Sequence, residues 1–217
     1  MINELIDCYI EEMLGRINTI YAAGLKSKWA MTAFAHKVQG GNEHPSPQEY
    51  NGDISNTLNS EEWIKNMLHL LVDFNKEHGV TTQFVRSIPF PHHNAFGVAF
   101  SRERLIVIRT FWLKADRPQA ALLETLIHES AHIIMNHRGG NSQTRRHNET
   151  VAEATSYVVS RALGLIDNRT YDPLATRLVS MICGYTSCRG KCYGVSEKAL
   201  SEIKLCSYLI LSHLAPQ

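Results

Sequence analysis

An α+β fold is predicted by three features of this 217-residue chain. Apolar side chains recur at helical spacing near both ends, a block between Val80 and Thr110 alternates with a period of two, and a long breaker-free helical segment follows that block. With 44% hydrophobic residues, a chain of this length can bury one substantial core. The expected organisation is therefore a single domain over 1–217: an N-terminal helix over 1–25, a long loop or lid over 26–58, and a core over 59–217 with a small sheet ahead of its central helix.

The N-terminal helix rests on Ile2, Leu5, Ile6, Tyr9, Met13, Ile17, Ile20 and Tyr21, which line one stripe. From Lys26 to Leu58 the pattern weakens, and Gly40-Gly41, Pro45, Pro47 and Asn51-Gly52 mark turns. Asn59 and Glu62 then form a capping box for a helix carrying Trp63, Met67, Leu70, Leu71 and Phe74, stopped at Gly79. Val80–Arg86, Phe96–Phe100 and Leu105–Thr110 read as strands of an antiparallel or mixed sheet, with Ser101–Arg104 as a hairpin turn and His92 and His93 as surface residues. Asp116, Pro118 and Gln119 open the next helix, expected to run through His137 to Gly139-Gly140. Arg138 to Asn148 reads as a solvated connection to a helix that ends at Gly164. Asp172 and Pro173 start a further helix. Ser196 caps the last, with Leu200, Ile203, Leu205, Tyr208 and Leu209 or Leu211 facing inward.

Chemistry concentrates in the breaker-free helix, where His128 and His132 bracket Glu129 as H-E-x-x-H. A four-residue offset sets both imidazoles on one face, one turn apart, where they can grip a single Zn²⁺. Glu129 lies beside them, placed to take a proton from a zinc-bound water. Leu122, Leu126, Ile133 and Ile134 would bury the opposite side of the same helix. A zinc site needs a third protein ligand. Met135 and Arg138 stand where a metzincin would carry glycine and histidine, and His137 comes one residue too early. The following helix offers Glu149 and Glu153 on one face at i, i+4.

This layout resembles the gluzincin arrangement, which implies that Glu149 is the ligand and that Glu153 orients a ligating histidine or, with the order reversed, takes the metal itself. The run His128 to His137 followed by Glu149 to Leu165 resembles the ImmA/IrrE-like and ArdC-like zinc metallopeptidases of bacteria, plasmids and phages, over roughly residues 80 to 215. The first 60 residues lie outside the resemblance, and Ser130 stands where relatives usually carry leucine, isoleucine or phenylalanine. The resemblance implies a zincin-like fold and a zinc-dependent endopeptidase. Its substrate would be a specific intracellular protein or peptide, for example a transcriptional repressor. The alternative from another class is an antirestriction-like, nucleic-acid-binding or regulator-binding module with a structural or sensing zinc. Retention of Glu129 favours the enzyme, because a purely structural zinc needs no base between its histidines. Tyr157, Tyr171, Tyr185, His137 and His147 are candidate donors to the oxyanion of a hydrolytic intermediate.

A net charge of +1 gives no whole-molecule pull toward nucleic acid or an anionic membrane, so such a partner would have to use a local patch. Arg138, Arg145 and Arg146 could form one, although no aromatic residues interleave with them to stack bases. Acidic residues near the N-terminus and the lack of a long apolar run predict a cytoplasmic protein without membrane association. Five cysteines fit reduced thiols; Cys8 and Cys206 read as small core residues, and Cys183, Cys188 and Cys192 lie close enough to hold a second metal. Limited proteolysis should cut first within 26–58, and cleavage elsewhere ahead of it would show that this segment packs as a structural element.

Overall fold

The computed structural model describes residues 1–26, 61–89, 91–92, 95–110, 118–165 and 195–214. Among them are five helices and three strands, an α+β arrangement with a mixed sheet. In chain order the elements are α1 (Ile2–Lys26), α2 (Glu61–Glu77), β1 (Thr81–Val85), β2 (Gly97–Phe100), β3 (Leu105–Arg109), α3 (Pro118–Ile134), α4 (Ser142–Ala162) and α5 (Glu197–Leu214). The expectations for 27–58, for the caps at Asn59 and Asp116, for His93, for the helix at Asp172, and for Tyr171, Tyr185, Cys183, Cys188 and Cys192 lie outside the described residues.

Helix α4 is the centre of the helical layer. Every residue from Thr150 to Ser160 is buried, because α3, α5 and α1 all pack on it. The run is rich in Ala, Ser, Thr and Val, small or β-branched side chains that let neighbouring helices approach on several sides. Its buried hydroxyls need partners, and Ser156 Oγ donates to the Glu124 carbonyl of α3 at 3.1 Å. Helix α1 is clamped to α4 by a polar cluster in which Glu12 accepts from Tyr157 Oη at 3.1 Å and from Arg161 Nη2 at 3.0 Å. Ile6, Ile10, Met13 and Ile17 supply the buried stripe of α1 beneath that clamp.

Strand order is β1-β3-β2, with β1 parallel and β2 antiparallel to the central β3. Gly97 is paired with Ile108 and Ala99 with Ile106, so these four share one face of the sheet, and α3 packs on it. Two small residues on β2 bring that helix close to the strand. Asn75, at the end of α2, is buried and donates through Nδ2 to Ser130 Oγ at 3.0 Å, while Ser130 Oγ donates to the Leu126 carbonyl at 2.7 Å. Ser130 therefore fixes α2 on α3 by a buried hydrogen bond that an aliphatic residue at that position cannot make.

Three helices end in the same way. At α2, the amides of Gly79 and Val80 donate to the Lys76 and Asn75 carbonyls; at α4, those of Gly164 and Leu165 donate to Arg161 and Ser160; at α3, those of Asn136 and His137 donate to Ile133 and His132. Each is a Schellman turn whose penultimate residue has positive φ: Gly79 at 69°, Gly164 at 70° and Asn136 at 51°. Asn136 thus stops α3 at Ile134, short of the expected His137. Helix α4 begins at Ser142, earlier than expected, because Asn141 Oδ1 accepts from the Thr144 amide at 2.9 Å as an N-cap. Arg145, Arg146 and His147 consequently belong to that helix rather than to a loop.

The inward face of α5 also differs from expectation. Ala199, Ile203, Cys206, Ile210 and Leu214 are buried, whereas Leu205 and Tyr208 are 53% and 42% exposed. Apolar residues lie on both sides of this helix, and the side that packs on α4, α1 and α2 is the one buried. Cys206 is buried as expected, and burial pushes its thiol up to about 12, outweighing the hydrogen bond from Thr155. Cys8 is exposed, on the outer side of α1, contrary to its assignment as a core residue. None of the described helices is long and apolar enough to cross a membrane.

Burial acts upward on the pKa of Glu12, but the hydrogen bond and charge of Arg161, helped by Tyr157 and Arg16, hold it below the ordinary 4.5. A carboxyl whose pKa is lower in the folded than in the unfolded chain stabilises fully above the unfolded value and progressively less as pH falls through the folded one. Denaturant unfolding of the protein and of Glu12→Gln should show a stability gap that is widest near neutrality and narrows below 4.5. A gap independent of pH would mean that the clamp does not act through the Glu12 charge.

Candidate metal centre

The site lies where α3 crosses α4. His128 and His132 occupy successive turns of α3, and Glu149 reaches them from α4. Their ligand atoms converge: His128 Nε2 and His132 Nε2 are 3.1 Å apart, and Glu149 Oε2 is 3.5 Å from the first and 3.7 Å from the second. Ligands held about 2.0–2.1 Å from a tetrahedral Zn²⁺ stand about 3.4 Å from one another. The triangle therefore has the dimensions of one tetrahedral face. These three residues are the one group among the described residues that could hold a metal ion.

Each imidazole is also held from behind. Glu153, almost fully buried on α4 one turn beyond Glu149, places Oε2 3.1 Å from His128 Nδ1. A buried carboxylate is costly unless paired, so this contact gives Glu153 Oε2 a partner and turns Nε2 of His128 inward. His132 is backed instead by His137, with the two Nδ1 atoms 3.0 Å apart. Spacing could not show this pair, because His137 is neither one helical turn from His132 nor at a metzincin position. The left-handed turn at Asn136 brings it back, and an Asn just past a helix is the signal that could have revealed it.

The electrostatics favour a bound cation. At His128, burial acts to lower the pKa but is outweighed by hydrogen bonds to Glu149 and Glu153 and by the charge of Glu129, which together push it up to about 10. Burial acts upward on Glu149, yet its hydrogen bonds with His128 and His132 hold its carboxyl well below the usual carboxylate range. A proton held this firmly between acids and imidazoles marks a place where a metal ion would displace it.

Glu129 is buried beside the triad and does not belong to it. Burial raises its pKa against the opposing charges of His128 and His132, and the backbone amide of Ala99 hydrogen-bonds its carboxylate. That amide is available because of strand register. Arg109 N donates to the Phe96 carbonyl, so positions 96, 98 and 100 turn their backbone groups toward β3, and 97 and 99 turn theirs to the open side of β2. Among the described strands β2 is thus a sheet edge, lying along α3.

Two expected oxyanion donors are engaged elsewhere. Tyr157 is fully buried with its hydroxyl on Glu12, and His147 Nε2 is 2.6 Å from Glu202 Oε2 of α5. His137 has Nδ1 against His132, and burial together with the neighbouring His132 and His147 charges brings its pKa down to about 3. Arg145 and Arg146 are exposed on the first turns of α4. Comparison with protein-family models, with curated proteins and with solved structures finds no match for this chain.

The close approach of β2 to α3 gives a direct test of the geometry. A Cβ added at Gly97 would lie 2.7 Å from Glu129 Cγ and 2.9 Å from Thr125 Cγ2. Gly97→Ala should therefore displace the Glu129 side chain and destabilise the fold by about 1–3 kcal/mol. Chemical denaturation measures this, and wild-type stability in the variant would contradict the packing.

Proposed function

We propose that this protein is a zinc metallopeptidase with a zincin-like catalytic fold, whose metal is held by His128, His132 and Glu149. The observation that carries this reading is the position of Glu129: a buried carboxylate with a raised pKa, fixed by the Ala99 amide, beside three converging ligand atoms. A zinc ion held there would supply Lewis-acid activation of a water molecule and of the scissile carbonyl. The carboxylate of Glu129 accepts the proton of the attacking water and passes it to the leaving amine nitrogen. A carboxyl whose burial raises its pKa suits a group that must both take and return a proton.

The edge of β2, open among the described strands, supports a peptide as substrate. The outward backbone groups of Gly97 and the carbonyl of Ala99 can pair with an extended chain laid beside the strand, which would carry its carbonyl past the triad. Glu153 and His137 keep the two imidazoles aimed while Glu129 keeps its proton-accepting oxygen on the same side. The resemblance to ImmA/IrrE-like and ArdC-like peptidases extends the proposal to a specific cytoplasmic protein, such as a transcriptional repressor, as the substrate.

Glu129→Gln tests the reading, since it preserves volume and replaces a proton acceptor with an amide. Elemental analysis should find about one zinc per chain in both proteins, while cleavage of a susceptible intracellular protein should fall at least about a hundredfold in the variant. His128→Ala, His132→Ala and Glu149→Ala should each deplete the metal. Zinc retention with equal cellular effects of the wild type and Glu129→Gln, and cleavage by neither, would replace the peptidase with a binding or regulatory module.

A further inference from the structure

We infer that His137 is a positioning residue of the metal centre, the acceptor that fixes His132 in the tautomer able to bind metal through Nε2. This rests on the metal site proposed above. The three Schellman turns supply the argument. In each, the residue after the left-handed position folds back over the last turn of its helix, and that position normally seals the helix end with an apolar side chain. Val80 does so at the end of α2 and Leu165 at the end of α4, both almost fully buried. At the end of α3 the same position is His137, whose backbone amide donates to the carbonyl of His132 at 2.8 Å. The residue that the turn delivers onto His132 is therefore polar in the one of these three helices that carries the two candidate histidine ligands.

The contact it makes is specific. His137 Nδ1 lies 3.0 Å from His132 Nδ1, the ring nitrogen on the far side from the triad, and the two rings meet edge to face at 73°. Two neutral imidazoles can share only one proton across that contact. When Nε2 of His132 lends its lone pair to a metal, its proton must sit on Nδ1, so His132 donates and His137 Nδ1 accepts. The backbone of His137 is held in turn, because Ser101 Oγ of the β2–β3 turn donates to its carbonyl at 2.6 Å. The two ligating histidines thus have unlike supports, an anionic one in Glu153 for His128 and a neutral one in His137 for His132.

The test separates an acceptor from a space-filling cap. Zinc dissociation constants, measured by competition with a chromophoric chelator, should weaken by about 10–100-fold in His137→Leu, which keeps an apolar seal like Val80 and Leu165 but offers no acceptor. His137→Asn, whose Oδ1 occupies nearly the place of Nδ1, should stay within about threefold of wild type. In zinc-loaded wild type, ¹⁵N NMR of the imidazoles should show His132 protonated at Nδ1 and His137 bare at Nδ1, and His137→Leu should lose the slowly exchanging His132 proton. Undiminished zinc affinity in His137→Leu, or a His137 ring protonated at Nδ1 in the zinc-loaded protein, would overturn the inference while leaving the metal site standing. Failure of the wild type to bind zinc would remove the site itself, and this inference with it.

Discussion

A buried carboxylate on one helix facing an imidazole on another holds this architecture in register. Glu153 sits inside the helical layer, and burial of an anion in such a place is tolerated only with a partner of opposite or complementary character. His128 provides it at 3.1 Å, across the crossing of α3 and α4. Because Glu149 precedes Glu153 by one turn, the same crossing delivers a second carboxylate to the inward side of the same imidazole, 3.5 Å from Nε2. Fixing one pair thus assembles the triad, and any sliding of one helix against the other would unpair Glu153 as it dispersed the ligand atoms.

The rest of the fold keeps that crossing rigid. Helix α1 is tied to α4 through Glu12, Tyr157 and Arg161, and α2 is tied to α3 through Asn75 and Ser130. On the other side, β2 approaches α3 so closely that a Cβ at position 97 would have to displace Glu129 or Thr125. The consequence is chemical as well as mechanical. A strand brought this near places the Ala99 amide on the Glu129 carboxylate, so a strand edge and a buried carboxylate meet at one short stretch of backbone. Packing small residues against the helix and turning the backbone groups of 97 and 99 away from β3 are two results of the same register.

Helix ends contribute more than termination. In α2 and α4 the residue following the left-handed turn buries an aliphatic side chain, and the turn serves packing. In α3 the same turn returns an imidazole to the far side of His132. The same local backbone motif thereby holds one of the two converging imidazoles without any addition to the fold. Asn136 adopts its positive φ more readily than most non-glycine residues, which is why the turn can be built there.

The sequence by itself determined the α+β order, the position of the three strands and the pairing of His128 and His132 on one helix face, because periodicity and local chemistry fix these within a few residues. It also offered Glu149 and Glu153 as the two acids one turn apart, although their distribution between the two nitrogens of His128 depends on how α4 crosses α3. Tertiary structure decided what local pattern leaves open. Helix α4 is central because three helices bury it, which its own mixed sequence of Ala, Ser, Thr and Val does not announce. Tyr157 is engaged by Glu12, a residue 145 positions away, and Leu205 and Tyr208 lie on the side of α5 away from its packed face. The identity of β2 as the edge along α3 among the described strands, and the return of His137 onto His132, follow from strand register and from a single left-handed residue. Neither is encoded by spacing alone, since both depend on which surfaces meet once the chain has folded.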